Sequence, residues 1–270
     1  MPLDRTSEDL LAAVHASPRA VGAHDKAAWV GLFTADAAVN DPVGSRPHVG
    51  TEAISRFYNT FIAPNGIVFR VDRDLVAGHS VVRDLHIATT MSTGATVVVP
   101  MHLRYDLVET ADGWRISRLA AHWELAVMVA RLLGTGTSGV LAGAKLGPQL
   151  VGELGIGGAV GMMRALRGVG GHGKRLVRRL FTAVAAGDTA RVHALLDART
   201  EIQLPAGTQV TVGEFAERAR EIQWSKMIAA GRTVSASVRI GDAHGVAFVD
   251  FAPGSARIAA VTVFLDTVDD

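Results

Sequence analysis

The chain has no cysteine, which excludes disulfides, thiolate metal sites and cysteine nucleophiles. Aromatic residues make up only 6% of its 270 residues, with two tyrosines and four tryptophans. They are too thinly interleaved with basic side chains for a nucleic-acid surface. The histidines between positions 15 and 122 nowhere show the i, i+2 or i, i+4 spacing of a ligand pair, so no metal is expected. A Gly-x-Ser-x-Gly nucleophile elbow is missing as well. Neither sign of charge dominates, with 27 Lys+Arg against 26 Asp+Glu. Long apolar runs are lacking too: the longest uncharged stretch of the basic middle segment, residues 132–144, is broken by Gly and Thr, and spanning a bilayer takes about 20 apolar residues. The first residues carry Asp4, Glu8 and Asp9 where a signal peptide needs an apolar stretch, so a cytoplasmic protein is expected.

What is present is a chain 49% hydrophobic and 20% charged, enough to bury one large core or two ordinary ones. Charge is unevenly placed. Between Arg131 and Arg179 stand eight basic residues and one acid, Glu153. The two ends are mildly acidic. A solvated linker helix is the preferred reading of this basic, Gly-rich middle, with contact to a membrane surface or an anionic partner the less favoured alternative. The run Gly134 to Gly139 fits the dinucleotide pattern GxGxxG, but no parallel-strand rhythm surrounds it. No nucleotide cofactor is expected.

Sliding the chain against itself by 163 positions aligns Ala20 to Ala53 with Ala183 to Ala216 without a gap. Val21/Val184, Asp25/Asp188, Leu32/Leu195, Pro42/Pro205, Gly44/Gly207 and Gly50/Gly213 are identical. Two copies of one fold follow from this self-similarity. In the first, Ser7 caps a short helix, Ser17 and Pro18 open a second, and Asp25 caps a third with Trp29, Leu32 and Phe33 inward. A strand at 37–40, a helix at 52–62 and strands at 68–77, 81–91, 97–108 and 114–123 come next. The second copy has a helix at 174–186 and strands at 233–240, 246–251 and 256–265. Helices followed by a run of antiparallel strands predict an α+β fold, as two tandem domains in which helices pack on a curved antiparallel sheet. The expected divisions are a first domain at 1–125, a Gly-rich linker at 126–172 and a second copy at 173–270.

The segment from Thr34 to Tyr58, with Asp41-Pro-Val-Gly, Gly50 and Phe57-Tyr58 as its core, resembles the ketosteroid isomerase family of the nuclear transport factor 2-like superfamily. The resemblance covers roughly residues 8 to 125 and implies cone-shaped α+β domains and a cofactor-free proton transfer between two carbons of a hydrophobic ketone. Asp41 would be the general base. The second copy keeps the turn as Leu204-Pro205-Ala206-Gly207 but puts Leu in place of the Asp. The turn does not need the carboxylate, which favours a chemical role for Asp41.

The oxyanion hole departs from the family. Its tyrosine position holds Ser17, and Tyr58 matches a supporting tyrosine. For the second donor, counting back from Trp123, which resembles a pocket-lining tryptophan, reaches Asp106, a catalytic candidate. Aligning on the strand 97–105 reaches Met101 instead. Strand alternation places Met101, Leu103, Tyr105 and Leu107 on one face and His102, Arg104 and Asp106 on the other. Phe33, Tyr58, Met101, His102 and Trp123 are the candidate substrate-lining residues. The expected activity is isomerase-like proton transfer on a steroid or other apolar enolisable ketone. The alternatives are a non-catalytic binder of apolar small ligands and a polyketide-cyclase-like or hydrolase activity on the same scaffold. The resemblance also implies an internal pseudo-dimer or a homodimer.

Overall fold

In the computed structural model, residues 5–134, 168–197 and 199–266 are described. They fall into two compact units, one built from residues 5–74 and 79–134 and the other mainly from residues 168–197 and 199–266. The GxGxxG run beyond Gly134, and most of the expected linker, lie outside the described residues.

The first unit opens with α1 (Arg5–Gly22), one continuous helix with Pro18 inside it. The expected break at Ser17 does not occur, and Ser17 is buried instead of capping. Asp25 caps α2 (Lys26–Gly31), its carboxylate accepting from the Ala28 amide at 2.9 Å. Then come β1 (Phe33–Asn40), β2 (His48–Val49) and α3 (Gly50–Phe57). A π-helical turn, Tyr58–Ile62, finishes the helix. The strands β3 (Gly66–Ala77), β4 (Ser80–Thr90), β5 (Thr96–Thr110) and β6 (Gly113–His122) follow, and the helix α4 (Leu125–Leu133) occupies the start of the expected linker. The sheet order is β2-β1-β6-β5-β4-β3. β1 and β6 run parallel, because the helices between β1 and β3 carry the chain across the sheet.

The second unit contains α5 (Gly170–Ala185), α6 (Thr189–Leu195), β7 (Glu201–Gln203), α7 (Val212–Arg218), β8 (Gln223–Ala230), β9 (Thr233–Ile240), β10 (Ala243–Phe251) and β11 (Ile258–Leu265). Its order is β7-β11-β10-β9-β8, with β7 parallel to β11. This matches β1-β6-β5-β4-β3 strand for strand. Local chemistry repeats at the 163-residue offset: Asp188 caps α6 by accepting from Arg191 as Asp25 does for α2. The Asp41-Pro42 and Leu204-Pro205 peptides are both cis, and Gly44 and Gly207 both have φ above +90°, a conformation that favours glycine.

In both units the helices cover one face of the sheet. On that face of the first unit sit Val81, Leu85, Met101, Leu103, Tyr105, Leu119 and Ala121, all buried, because cross-strand pairing aligns Val81 with Tyr105, Leu85 with Met101 and Tyr105 with Leu119 and partners in a pair share a face. The second unit fills the same face with Val234, Ala236, Ala247, Val249, Val261 and Val263.

Candidate active site

The end of β1 places Asp41 on the helix-covered face. Val39 pairs with Leu119 and Asn40 with Ala120, so the next residue stands beside Ala121, and the Val43 amide bonds the Ala121 carbonyl at 2.8 Å. Trp123, just past β6, projects from the same face two residues on. Its indole Nε1 donates to Asp41 Oδ1 at 2.6 Å. Burial pushes the Asp41 carboxyl up to about 6, and the Trp123 hydrogen bond offsets part of that rise. A carboxylate poised so close to neutrality is suited to taking a proton from carbon and returning it.

Tyr105, on the neighbouring strand and the same face, is the group that sequence reasoning missed. It is fully buried, and its side chain hydrogen-bonds Ser17. Burial raises its hydroxyl above the ordinary tyrosine value, while the Arg83 charge and the Ser17 hydrogen bond counter the rise; the Asp41 charge also reaches it. Ser17 in turn accepts from the Trp29 indole nitrogen at 3.1 Å. Indole nitrogen only donates, so this contact occupies a serine lone pair and leaves the serine proton for Tyr105. The Trp29 indole N–H and the hydroxyls of Ser17 and Tyr105 form a hydrogen-bonded chain, and the Asp41 charge is felt at its Tyr105 end. Ser17, on α1, stands where the resemblance expected a tyrosine, and Tyr105 reaches it from β5.

Arg83, on β4, completes the polar set on this face. It pairs in register with Leu103 and is 4% exposed. Its Nε donates to Asp74 Oδ1 at 2.7 Å and its Nη2 to Oδ2 at 3.3 Å, while His15 from α1 meets the same Oδ2 at 2.7 Å.

The other sequence candidates divide. Met101 lies on the Asp41 face, in line with Leu103 and Tyr105. Tyr58 is buried and packs on Trp29, with ring centroids 5.6 Å apart, and its hydroxyl has no hydrogen-bond partner. It therefore stands behind the Trp29–Ser17 contact and does not reach Asp41. Phe33 packs edge-on to Trp29 at 4.8 Å and borders an open groove of about 610 Å³ between α2, β1 and α3. His102 and Asp106 are on the opposite face of β5. His102 contacts Asp84 at 3.3 Å. Asp106 accepts from Ser80, Arg104 and Arg118 at 2.7, 2.8 and 3.3 Å, and the two arginines and Ser80 hold its carboxyl below the usual range despite burial. Strand alternation thus turns Asp106 away from the Asp41 face, into a surface of ion pairs. Among the described residues no group of His, Asp and Glu is placed to hold a metal ion.

The second unit is an internal control. Its Ala206 amide bonds the Val263 carbonyl as Val43 bonds Ala121, and Val249 pairs with Val261 as Tyr105 pairs with Leu119. From these anchors Asp41 corresponds to Leu204, Tyr105 to Val249, Trp123 to Leu265 and Arg83 to Ala236, which pairs with Ala247. The 163-residue offset sets Ser17 against Leu180. Every polar member of the first unit's set is aliphatic in the second. The fold does not require these polar groups, and burying a polar group without a use for it carries a free-energy cost.

Residues 14–127 match the family model of the SnoaL-like domain. That stretch lies within the first unit, which is therefore similar to the SnoaL-like domain. Among solved structures, the chain is similar to a Delta 5-3-ketosteroid isomerase from Mycobacterium sp., at 25% identity and a TM-score of 0.40 over 44% of this chain and 95% of that one. It is also similar to a Mycobacterium tuberculosis protein in complex with estradiol-17beta-hemisuccinate, at 24% identity and a TM-score of 0.40 over 44% and 95%. A third is an epoxide hydrolase/cyclase-like enzyme of pyran ring formation in salinomycin, at 24% identity and a TM-score of 0.39 over 44% and 94%.

Proposed function

We propose that the first unit catalyses a cofactor-free proton transfer between carbons of a hydrophobic enolisable ketone, in the manner of a steroid Δ-isomerase, with Asp41 as the base. The observation that carries this reading is the Asp41–Trp123 pair on the helix-covered face, with Tyr105 buried on the same face. Ionised Asp41 takes a proton from the carbon next to the carbonyl. The C–H electron pair moves into the carbon framework and the carbonyl oxygen becomes a dienolate oxygen. Asp41 then returns the proton to the far carbon of the shifted double bond, and the carbonyl re-forms. Tyr105, its own oxygen engaged by Ser17, directs its proton to the oxygen on which charge gathers. Donors fixed in advance at a developing oxyanion supply a large share of such catalysis. The ligand is apolar, in keeping with Met101, Leu103 and Leu85 around these groups.

The test is the conversion of a Δ5-3-ketosteroid to its conjugated isomer, followed by ultraviolet absorbance. Turnover by the native protein, its loss in Asp41→Asn, and a fall of about 100- to 1000-fold in kcat for Tyr105→Phe are expected. Binding of the steroid without turnover in the native protein would leave a carrier of apolar ligands in place of an enzyme.

A further inference from the structure

Arg83 is a buried guanidinium with one arm unspent. Nε and Nη2 are engaged by Asp74, but Nη1 is buried and has no hydrogen-bond partner. A buried donor left unmade costs on the order of 1–3 kcal/mol, and the corresponding position of the second unit, Ala236, shows that this face of the fold packs without one. The location is not neutral with respect to the site. Arg83 pairs with Leu103, two residues from Tyr105 on the same face, so Arg83 and Tyr105 are diagonal neighbours with backbones roughly 7–8 Å apart, and the Arg83 charge acts on the Tyr105 hydroxyl. Two long side chains from such positions converge readily on one acceptor atom.

We infer that Arg83 Nη1 is a ligand-contacting donor which, together with Tyr105, holds the oxygen atom of the bound ketone on which negative charge develops. The inference rests on the reading of Asp41 and Tyr105 as the reacting face, and it names the second donor, which neither Asp106 nor Tyr58 supplies. It also defines a ligand class. Because Asp74 already balances the guanidinium, the resting site carries no free positive charge at Arg83. It accepts an uncharged ketone or phenol and strengthens its hold as the oxygen becomes anionic, since hydrogen bonds to ionised acceptors are about twice as strong as neutral ones. Asp74, with His15 behind it, positions the guanidinium and sets how much of its charge the ligand feels.

The experiment is the binding of para-nitrophenol to the full chain carrying Asp41→Asn, a background that removes repulsion between the Asp41 carboxylate and a bound anion. The phenol and phenolate of this probe absorb at different wavelengths, so titration reads both affinity and ionisation without any catalysis. Phenolate is expected to bind; Arg83→Met should weaken it about 10- to 100-fold, and Asp74→Asn should tighten it by unbalancing the guanidinium. Circular dichroism melts establish that each variant is folded, and if Arg83→Met is not, Asp74→Asn decides alone. Failure of phenolate to bind, affinity unchanged in folded Arg83→Met, or no tightening in Asp74→Asn would overturn the inference. Loss of the Arg83 effect while Δ5-ketosteroid turnover still depends on Asp41 would reject Arg83 and retain the isomerase. An Arg83 effect without turnover would keep the oxygen subsite and reject the isomerase.

Discussion

At Asp41 two requirements pull against each other: a base must be ionised, and burial opposes ionisation. The carboxyl rests at about 6 because burial outweighs the Trp123 hydrogen bond. A carboxyl whose folded value lies above its unfolded value of 3.8 favours the folded state below pH 3.8 and gives that stability up as pH rises through 6. Asp41→Asn, which keeps an oxygen for the Trp123 indole, should therefore stabilise the protein at pH 8 by roughly 2 kcal/mol while abolishing turnover. Urea unfolding of the two proteins at pH 8 and pH 4 measures it, and the gain should vanish at the lower pH. Asp41 was legible because its Asp-Pro-x-Gly turn is local and its repeat partner lacks the acid. Trp123 was legible through the family resemblance. Tyr105 and Arg83 were not, since their significance depends on Ser17 and Asp74, brought close only by folding. Reading Ser17 as a cap beside Pro18 concealed the contact, because a Pro within a continuous helix looks in sequence like the start of a new one.

At the scale of elements, strand positions followed from alternation and turn residues, and most boundaries fall within a few residues of expectation. The strand β8 was missed. Its register against β9 shifts between Ser225 and Ile228, and Lys226 adopts φ +37°, so a bulge breaks the period of two on which the reading depends. The split of residues 52–62 into an α-helix and a π-helical turn was equally invisible, since the two differ by one residue in hydrogen-bond spacing. On β5 and β6 alternation has a further consequence. His102 and His122 face each other on the side of the sheet away from Asp41, and burial, with the His102 and Arg118 charges, pushes His122 down to about 3. An imidazole that stays neutral when folded but protonates when unfolded takes stability away as pH falls from 6.5 towards 3. Replacing His122 by Gln should reduce the loss of stability between pH 7 and pH 4.5 by about 2 kcal/mol, read as a smaller change in the urea midpoint than in the native chain.

Over the whole molecule the two units give one topology two interiors. The first retains Ser17, Asp41, Arg83, Tyr105 and Trp123; the second replaces them with Leu180, Leu204, Ala236, Val249 and Leu265, and most of these lie in one continuous apolar core. A single acid restored there has no indole and no hydroxyl to meet it. Leu204→Asp should destabilise the chain by about 3 kcal/mol, the order expected of an uncompensated buried charge, and should restore no turnover to Asp41→Asn. Thermal melts and the steroid assay check both statements. The repeat made this division visible in sequence, as Leu204 against Asp41, whereas the full set of replacements emerged only once strand register aligned the two sheets. No helix among the described residues is long and apolar enough to cross a membrane.

The most direct measurement is the pH dependence of kcat/KM for a Δ5-3-ketosteroid between pH 4 and pH 9. If Asp41 is the base, the rate rises with pH through a single apparent pKa near 6 and levels off, because only the ionised carboxyl takes the proton. A profile flat through pH 6, or turnover that persists in Asp41→Asn, would contradict it.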